Sequence, residues 1–289
     1  MTRSVGLRHA LHGCPDLAST APGVLSLVTP LVFAHRGGAA LRPENTVLAF
    51  DHGLACGADG IECDVRLSRD GEVMVHHDAT MERTTNGIGV LSDHSAAALA
   101  RLDAGFHFRG LDGERYRDRG CAIPTLRDVL ARYPRIPIII ELKGTDPAVA
   151  VGAVQVVRDA GALDRVCFGG FADRVVRAAR QADPQAITSA ALEEIRWFLY
   201  RSWVGLAPRQ TAYRAFQVPE QSGIVRVVSA PFVRAARRAA LPVQVWTVDD
   251  PADMARLLRR GVAGLISDRP DLAAQVVRRW RAAAPPAPS

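Results

Sequence analysis

The chain of 289 residues is 48% hydrophobic and carries 36 Lys and Arg residues against 30 Asp and Glu residues, a formal net charge of +6. This length suits one barrel of roughly 250 residues or two smaller domains. The basic residues form no dense run, which argues against nucleic-acid binding, and no apolar stretch reaches the roughly 20 residues that stable membrane insertion requires.

The two ends of the chain are expected to carry no chemistry. Residues 1–30 contain no apolar run of the kind found in signal peptides, so we predict an N-terminal extension. Residues 283–289 are rich in Ala and Pro and are predicted to be a disordered tail, which leaves 31–282 for the main domain. The five cysteines lack paired metal-type spacing, which favours buried thiols in a reducing compartment and predicts a cytoplasmic location.

Short β-branched apolar runs alternate with alanine- and leucine-rich stretches between these ends. This alternation is typical of parallel strands that are buried on both faces and joined by outer helices. Eight candidate strands predict an α/β fold, a (β/α)8 TIM-type barrel with a small insertion after the second strand. In chain order the candidate strands are 31–34, 60–67, 136–141, 165–169, 186–189, 214–219, 241–248 and 264–267.

The first candidate strand runs directly into His35 and Arg36. Histidine exchanges protons near neutral pH, and arginine offers a planar fork of donors that suits phosphate oxygens. The glycines that follow allow the backbone to approach a ligand closely. The end of this strand therefore places a candidate acid or base, His35, beside a candidate phosphate-binding cation, Arg36.

Proline at a first-turn position predicts the start of a helix. Such positions occur at Pro43, Pro147, Pro251 and Pro270. Glu44 follows the first of them and could bind a metal, pair with Arg36, or interact favourably with the positive end of a helix. We favour an indirect role in which Glu44 holds Arg36.

The second and third strands each present two charged side chains to one side. Alternate residues of a strand share a face, so Glu62 aligns with Asp64, and Glu141 aligns with Lys143. Burying three carboxylates in an apolar barrel is unfavourable unless a hard cation with oxygen ligands neutralises them. We therefore predict that Glu62, Asp64 and Glu141 bind one divalent cation, Mg²⁺ or Ca²⁺. Lys143 is interpreted as a second phosphate-binding cation, a salt-bridge partner of Glu141, or both.

A second candidate acid or base, His77, follows another short strand-like run. Paired with His35, it would supply the second proton transfer that hydrolysis of a diester needs. Asp78 is placed to fix the tautomer of a neighbouring histidine or to shape the turn, and His76 alternates to the opposite face. Residues 79–122 then form the predicted insertion, as a lid or substrate wall or as a packing excursion without function.

A second irregular region, 192–221, is rich in aromatic residues. These are Trp197, Phe198, Tyr200 and Trp203. At such spacings aromatic side chains more often form the inward face of a barrel helix than a membrane-contacting surface, so we expect them to pack on the barrel. Trp246 lies on an apolar strand, where core packing and contact with the alcohol part of a substrate are equally favoured.

These motifs, in this order, resemble the glycerophosphodiester phosphodiesterase family. The resemblance runs from about residue 31 to 272 and is carried by His-Arg-Gly, Pro-Glu-Asn-Thr, Glu-x-Asp, His-Asp, Glu-Leu-Lys, Trp-Thr-Val and Ser-Asp-Arg-Pro. It implies a TIM-type barrel in which Glu62, Asp64 and Glu141 bind a divalent metal. It also implies that His35 and His77 act as acid and base and that Arg36 and Lys143 hold phosphate.

The resemblance implies metal-dependent hydrolysis of a small-molecule glycerophosphodiester to sn-glycerol 3-phosphate and an alcohol. One alternative is phospholipase D-like activity on lysophospholipids, which needs an acyl-chain groove near 79–122 or 192–221. Another is a non-catalytic phosphodiester-binding barrel, against which the two histidines argue. The chain departs from the family pattern at Asp249, where relatives often have Asn, and at Ala263, where they often have Asp.

Overall fold

The structure is a computed structural model that describes residues 23–208 and 210–283. Most of the predicted N-terminal extension, Cys14 within it, and residues 284–289 of the predicted tail lie outside the described residues. The other cysteines are free thiols: Cys56, Cys63, Cys121 and Cys167.

The described residues form eleven strands and nine α-helices. Strands β1 to β11 are Leu31–Ala34, Gly60–Leu67, Val73–Val75, Ile138–Leu142, Val166–Gly169, Ile187–Thr188, Phe216–Pro219, Gln221–Ser222, Val225–Arg226, Val243–Trp246 and Gly264–Ser267. Helices α1 to α9 are Val47–Ala55, Ala96–Leu99, Leu126–Arg132, Pro147–Asp159, Asp173–Ala182, Leu192–Trp203, Ala230–Arg238, Pro251–Arg260 and Pro270–Ala283. Short 3₁₀ turns span His35–Gly37 and Leu91–Asp93.

Eight of these strands form one curled parallel sheet in the order β6-β5-β4-β2-β1-β11-β10-β7. A parallel bridge between Ser189 and Ala215 joins the two ends of this order and closes the ring. The eight strands coincide with the eight predicted segments, apart from a few residues at their ends. The predicted barrel is therefore confirmed. β3 pairs antiparallel with β2, and the irregular segment 79–122 follows it.

The interior of the ring holds a small apolar cluster, while two larger clusters lie among the strands and the surrounding helices. The interior cluster consists of Val24, Leu31, Phe33, Ile139, Cys167 and Ile266. The fully buried Gln244 donates a hydrogen bond from its side chain to the carbonyl of Val24 over 3.1 Å. Since Gln244 and Leu31 both pair with Gly264, this contact lies at the amino ends of the strands. The charged side chains described below lie towards the opposite rim, at the carboxyl ends of the barrel strands.

One of the four predicted helix starts is wrong. Helix α1 begins at Val47 with Thr46 as its N-cap, four residues after Pro43. The reason is Asn45, which is buried with φ at 58° and donates from its side chain to Asp64. A residue in the left-handed region cannot belong to a right-handed helix, so the helix starts after it. The other three prolines do begin helices α4, α8 and α9.

The expected inward packing of the four aromatic residues of α6 holds only for Phe198. Trp197, Tyr200 and Trp203 are 66%, 55% and 54% exposed, so the expectation is wrong for them. Successive helical residues are rotated by roughly 100°, and these three side chains project away from the buried stripe that contains Phe198. Among the described residues, no helix has both the length and the apolar character needed to cross a bilayer.

Candidate active site

Three acidic side chains of β2 and β4 meet at the rim of the barrel where β1 ends. These strands are parallel neighbours, and their register places Asp64 beside Glu141. Glu62 lies two residues earlier on β2 and therefore on the same face as Asp64. One carboxylate oxygen from each of the three residues lies within 4.8 Å of the other two. The structure thus brings together the residues that were predicted to bind a cation.

Asp64 is fully buried among positive and amide groups. Asn45 donates from Nδ2 to Oδ2 of Asp64 over 2.8 Å, Arg36 Nε lies 3.2 Å from Oδ2, and Lys143 Nζ lies 3.0 Å from Oδ1. Burial raises the pKa of Asp64, but the positive charges of Lys143 and Arg36 outweigh it and hold the pKa below its ordinary value. Asp64 is therefore ionised at neutral pH.

Glu62 and His35 face each other beside Asp64. The backbone N–H of Arg36 donates to Oε2 of Glu62 over 3.0 Å, and His35 Nε2 lies 3.9 Å from the same oxygen. Burial and then the negative charge of Asp64 raise the pKa of Glu62 well above its ordinary value. Burial lowers the pKa of His35, but the charges of Glu62 and Asp268 outweigh it and raise the pKa to about 9. A cation among these acids would favour the ionised form of Glu62.

The donor set fits a divalent cation. Oδ1 of Asp64 is buried and accepts no hydrogen bond among the described residues, although the Lys143 ammonium lies 3.0 Å away as an ion-pair partner. A buried acceptor without a donor calls for an ion or a water molecule. Oxygen atoms of Glu62, Asp64 and Glu141 are the ligands that hard cations such as Mg²⁺ and Ca²⁺ prefer.

His35 is oriented by the end of the last barrel strand. Its Nδ1 lies 2.7 Å from Oδ1 of Asp268, which directly follows β11. Asp249 Oδ1 accepts hydrogen bonds of 2.8 Å from the hydroxyl of Ser267 and from the backbone N–H of Asp268. A carboxylate therefore serves as the acceptor at the position where relatives often have Asn. The departure at Asp249 leaves the orientation of His35 intact.

His77 is oriented in the same manner from the other side of the site. Its Nδ1 lies 2.6 Å from Oδ1 of Asp78, and its backbone carbonyl accepts a hydrogen bond of 2.8 Å from Arg66. Burial raises the pKa of Asp78, but hydrogen bonds from Arg83 and His77 outweigh it and lower the pKa to about 2. Asp78 is therefore a fixed negative charge behind the ring. His76, the weaker candidate, is buried and contacts the carbonyl of Thr80.

A cavity of about 250 Å³ adjoins the acids and both histidines. The histidines and charged residues that line it are His35, Arg36, Glu62, His77, Glu141 and Lys143. Its other wall is largely apolar and includes Trp246, whose ring meets that of Phe171 edge to face at 5.8 Å. The predicted proton-transfer, phosphate-binding and alcohol-contacting residues thus share one cavity. The side chains that line it come from outside 79–122.

The turn after β1 is held in shape by Gly37. Its φ is +88°, and a Cβ atom at this position would lie 2.6 Å from the Ala49 backbone in α1. We expect Gly37→Ala to lower the free energy of unfolding by roughly 2–4 kcal/mol, since it adds left-handed strain to steric overlap. Chemical denaturation would measure the loss.

The matched control is Gly71→Ala, because Gly71 also has a positive φ, +81°, but no atom lies within 4 Å of its missing Cβ. Only the strain of roughly 1–2 kcal/mol is expected there. Equal losses in the two variants would contradict the proposed close contact with α1.

The structure places every predicted site residue at this rim, with Glu44 behind Arg36. Reasoning from the sequence missed Asn45, Arg83 and Asp268 as parts of the site. Asp268 could have been found, because it follows a barrel strand directly, as His35 does. Arg83 lies in an irregular segment, and its position in the sequence does not indicate a contact with the site.

The fold and site define a (β/α)8-barrel hydrolase with an acidic cluster and two carboxylate-oriented histidines at its carboxyl end. Residues 35–272 match the model of the glycerophosphoryl diester phosphodiesterase family. The chain belongs to this family.

Individual relatives agree with this assignment. A glycerophosphodiester phosphodiesterase of Caldanaerobacter subterraneus subsp. tengcongensis is 32% identical over 254 residues, which cover 86% of this chain and 98% of the relative. The crystal structure of a glycerophosphodiester phosphodiesterase from Agrobacterium tumefaciens aligns with a TM-score of 0.70 at 28% identity, over 86% of this chain and 99% of the other. An Oleispira antarctica phosphodiesterase in complex with the product sn-glycerol-3-phosphate aligns with a TM-score of 0.71 at 23% identity, over 86% and 97%, and shows the same fold.

Proposed function

We propose that this enzyme hydrolyses glycerophosphodiesters to sn-glycerol 3-phosphate and an alcohol. In this proposal His35 and His77 transfer protons, and Glu62, Asp64 and Glu141 hold one divalent cation. One observation carries it: three carboxylates with oxygens within 4.8 Å of one another adjoin a cavity lined by both histidines. The Oleispira antarctica relative with its bound product adds support for the product.

Both histidines present the same ring nitrogen to the cavity. Nδ1 of His35 faces Asp268, and Nδ1 of His77 faces Asp78, each within hydrogen-bonding distance. An ionised carboxylate at Nδ1 favours the tautomer with its proton there, which leaves Nε2 for the substrate. The arrangement therefore provides two oriented Nε2 atoms, enough to activate one oxygen and protonate another.

The proton steps then follow from the chemistry of a diester. One histidine takes a proton from the attacking water, or from the neighbouring glycerol hydroxyl if a cyclic phosphate forms first, which water then opens to sn-glycerol 3-phosphate. The new P–O bond forms as the bond to the alcohol breaks, and the other histidine protonates the departing alkoxide. Arg36 and Lys143 would bind nonbridging phosphate oxygens. When bound, the divalent cation would supply Lewis-acid stabilisation of the charge that develops on phosphate.

A second candidate function is phospholipase D-like hydrolysis of lysophospholipids. The observation that favours it is the apolar wall of the cavity, to which Leu192 and Ile195 of α6, Phe171 and Val227 contribute. Leu192 and Phe171 are 37% and 57% exposed, so this wall continues to the protein surface. An acyl chain attached to the glycerol of the substrate would bury apolar area there. The same proton transfers would serve both substrates.

A panel of cations and substrates tests both functions. The chelated protein, reconstituted with Mg²⁺ or Ca²⁺, should release sn-glycerol 3-phosphate from glycerophosphocholine. Choline released from lysophosphatidylcholine at a comparable kcat/KM would favour the second function. A folded protein that hydrolyses neither substrate with any cation would refute both and favour a binding role.

The cytoplasm remains the expected location of the enzyme. The free thiols of the described residues support it, because three of the four are buried and none forms a disulfide there.

A further inference from the structure

Arg83 holds two carboxylates that support the site from behind. Its Nη1 and Nη2 donate to the two carboxylate oxygens of Glu44 over 2.8 and 2.7 Å, and its Nε donates to Asp78. This fork is the bidentate geometry that only arginine provides. Arg83 belongs to the 79–122 segment, so this segment reaches the site through a side chain that does not line the cavity.

Each of these carboxylates holds a residue that does line the cavity. Glu44 accepts a hydrogen bond of 3.0 Å from Nη1 of Arg36, and Asp78 holds Nδ1 of His77 at 2.6 Å. Arg83 therefore joins the loop after β1 to the end of β3 through alternating charges. A candidate phosphate-binding cation and a candidate proton-transfer group depend on the same guanidinium.

The two carboxylates would be less constrained without that guanidinium. Burial raises the pKa of Glu44, but the hydrogen bonds from Arg83 and the charge of Arg36 outweigh it and lower the pKa. Asp78 also contacts both Arg83 and His77. Without Arg83, each carboxylate would keep only its contact with the functional residue, and the pair could turn together away from the cavity.

We propose that Arg83 is a positioning residue that fixes His77 and Arg36 relative to the acidic cluster by joining Asp78 to Glu44. This inference rests on the proposed phosphodiesterase activity. It assigns the 79–122 segment a role in catalytic geometry in addition to any role as a substrate wall.

The test compares Arg83→Ala and Arg83→Lys with the control Arg119→Ala. Arg119 lies in the same segment, is 48% exposed against 49% for Arg83, and forms an ion pair with Glu114. Loss of a residue that orients functional groups typically lowers activity by about 10–100-fold, and we expect that fall in kcat for Arg83→Ala. The lysine variant should recover part of it, because it keeps the charge without the fork. Thermal midpoint and cation affinity should match those of Arg119→Ala.

A mutant cycle that removes both partners of Arg83 separates positioning from general stabilisation. Because Arg83 acts through Asp78 and Glu44, adding Arg83→Ala to the Asp78→Asn and Glu44→Gln pair should change kcat less than about twofold. Independent effects that multiply would overturn the inference, as would an Arg83→Ala enzyme with at least half of the wild-type kcat. An inactive wild type would instead refute the proposed function.

Discussion

Replacing His35 or His77 by alanine is expected to lower kcat by about 10²–10⁴-fold, the usual contribution of positioned proton transfer. Each ring is held at Nδ1 by a carboxylate, so its Nε2 faces the cavity that both residues line. Neither ring lies among the three oxygen donors of the acidic cluster. Cation binding and the folded state should therefore survive, while the rate at saturating glycerophosphocholine falls.

His107→Ala is the matched control, since His107 is exposed in the 79–122 segment and does not line the cavity. Its kcat should equal that of the wild type. Steady-state kinetics beside cation titrations would separate a lost proton transfer from a lost ion. Near-wild-type turnover by a purified His35 or His77 variant would remove that histidine from the mechanism.

These site residues could be predicted because each follows from a local rule. His35 directly follows a buried parallel strand, Glu141 lies one residue before the end of another, and Glu62 and Asp64 lie within the strand Gly60–Leu67. Parallel barrel strands present their carboxyl ends at one rim, so residues far apart in sequence were expected to meet there. The alternation of side chains along a strand was enough to place Glu62 and Asp64 on one face.

The supporting contacts could not be predicted in this way, because they join segments that no periodicity connects. Asp268 and His35 are 233 positions apart in the chain. Arg83 lies in a segment without regular structure at that point, and its two partners come from different loops. Asn45 follows Pro43, where a helix start was predicted, yet its buried amide donates to Asp64 instead. In each case the side chain contacts a charged group from another segment. This tertiary contact, and not the local sequence pattern, determines where the side chain lies.

Glu62→Gln is expected to weaken cation binding by about 10–100-fold, because a neutral amide oxygen replaces one of three charged donors. Activity should recover partly at high cation concentration.

Lys143→Met should have the opposite effect on cation affinity, because its ammonium lies 3.0 Å from Asp64 and 2.7 Å from Glu141 and competes with the cation for both. Removing that positive charge should tighten cation binding by roughly tenfold, while kcat/KM falls because a phosphate-binding group is lost.

Glu62→Gln should lower cation affinity and Lys143→Met should raise it. These opposite changes distinguish a cation site from a salt bridge that only stabilises the structure. Isothermal titration of the chelated proteins with Mg²⁺ and Ca²⁺ would measure both affinities, with Glu193→Gln on the exposed face of α6 as the control. If the acids only served to pair with Lys143, neither variant would change the binding of a cation. Affinities and rates indifferent to Glu62→Gln would therefore contradict the ligand assignment. Weakened binding in Lys143→Met would show that its ammonium organises the acids for the cation, because a competing charge cannot strengthen binding.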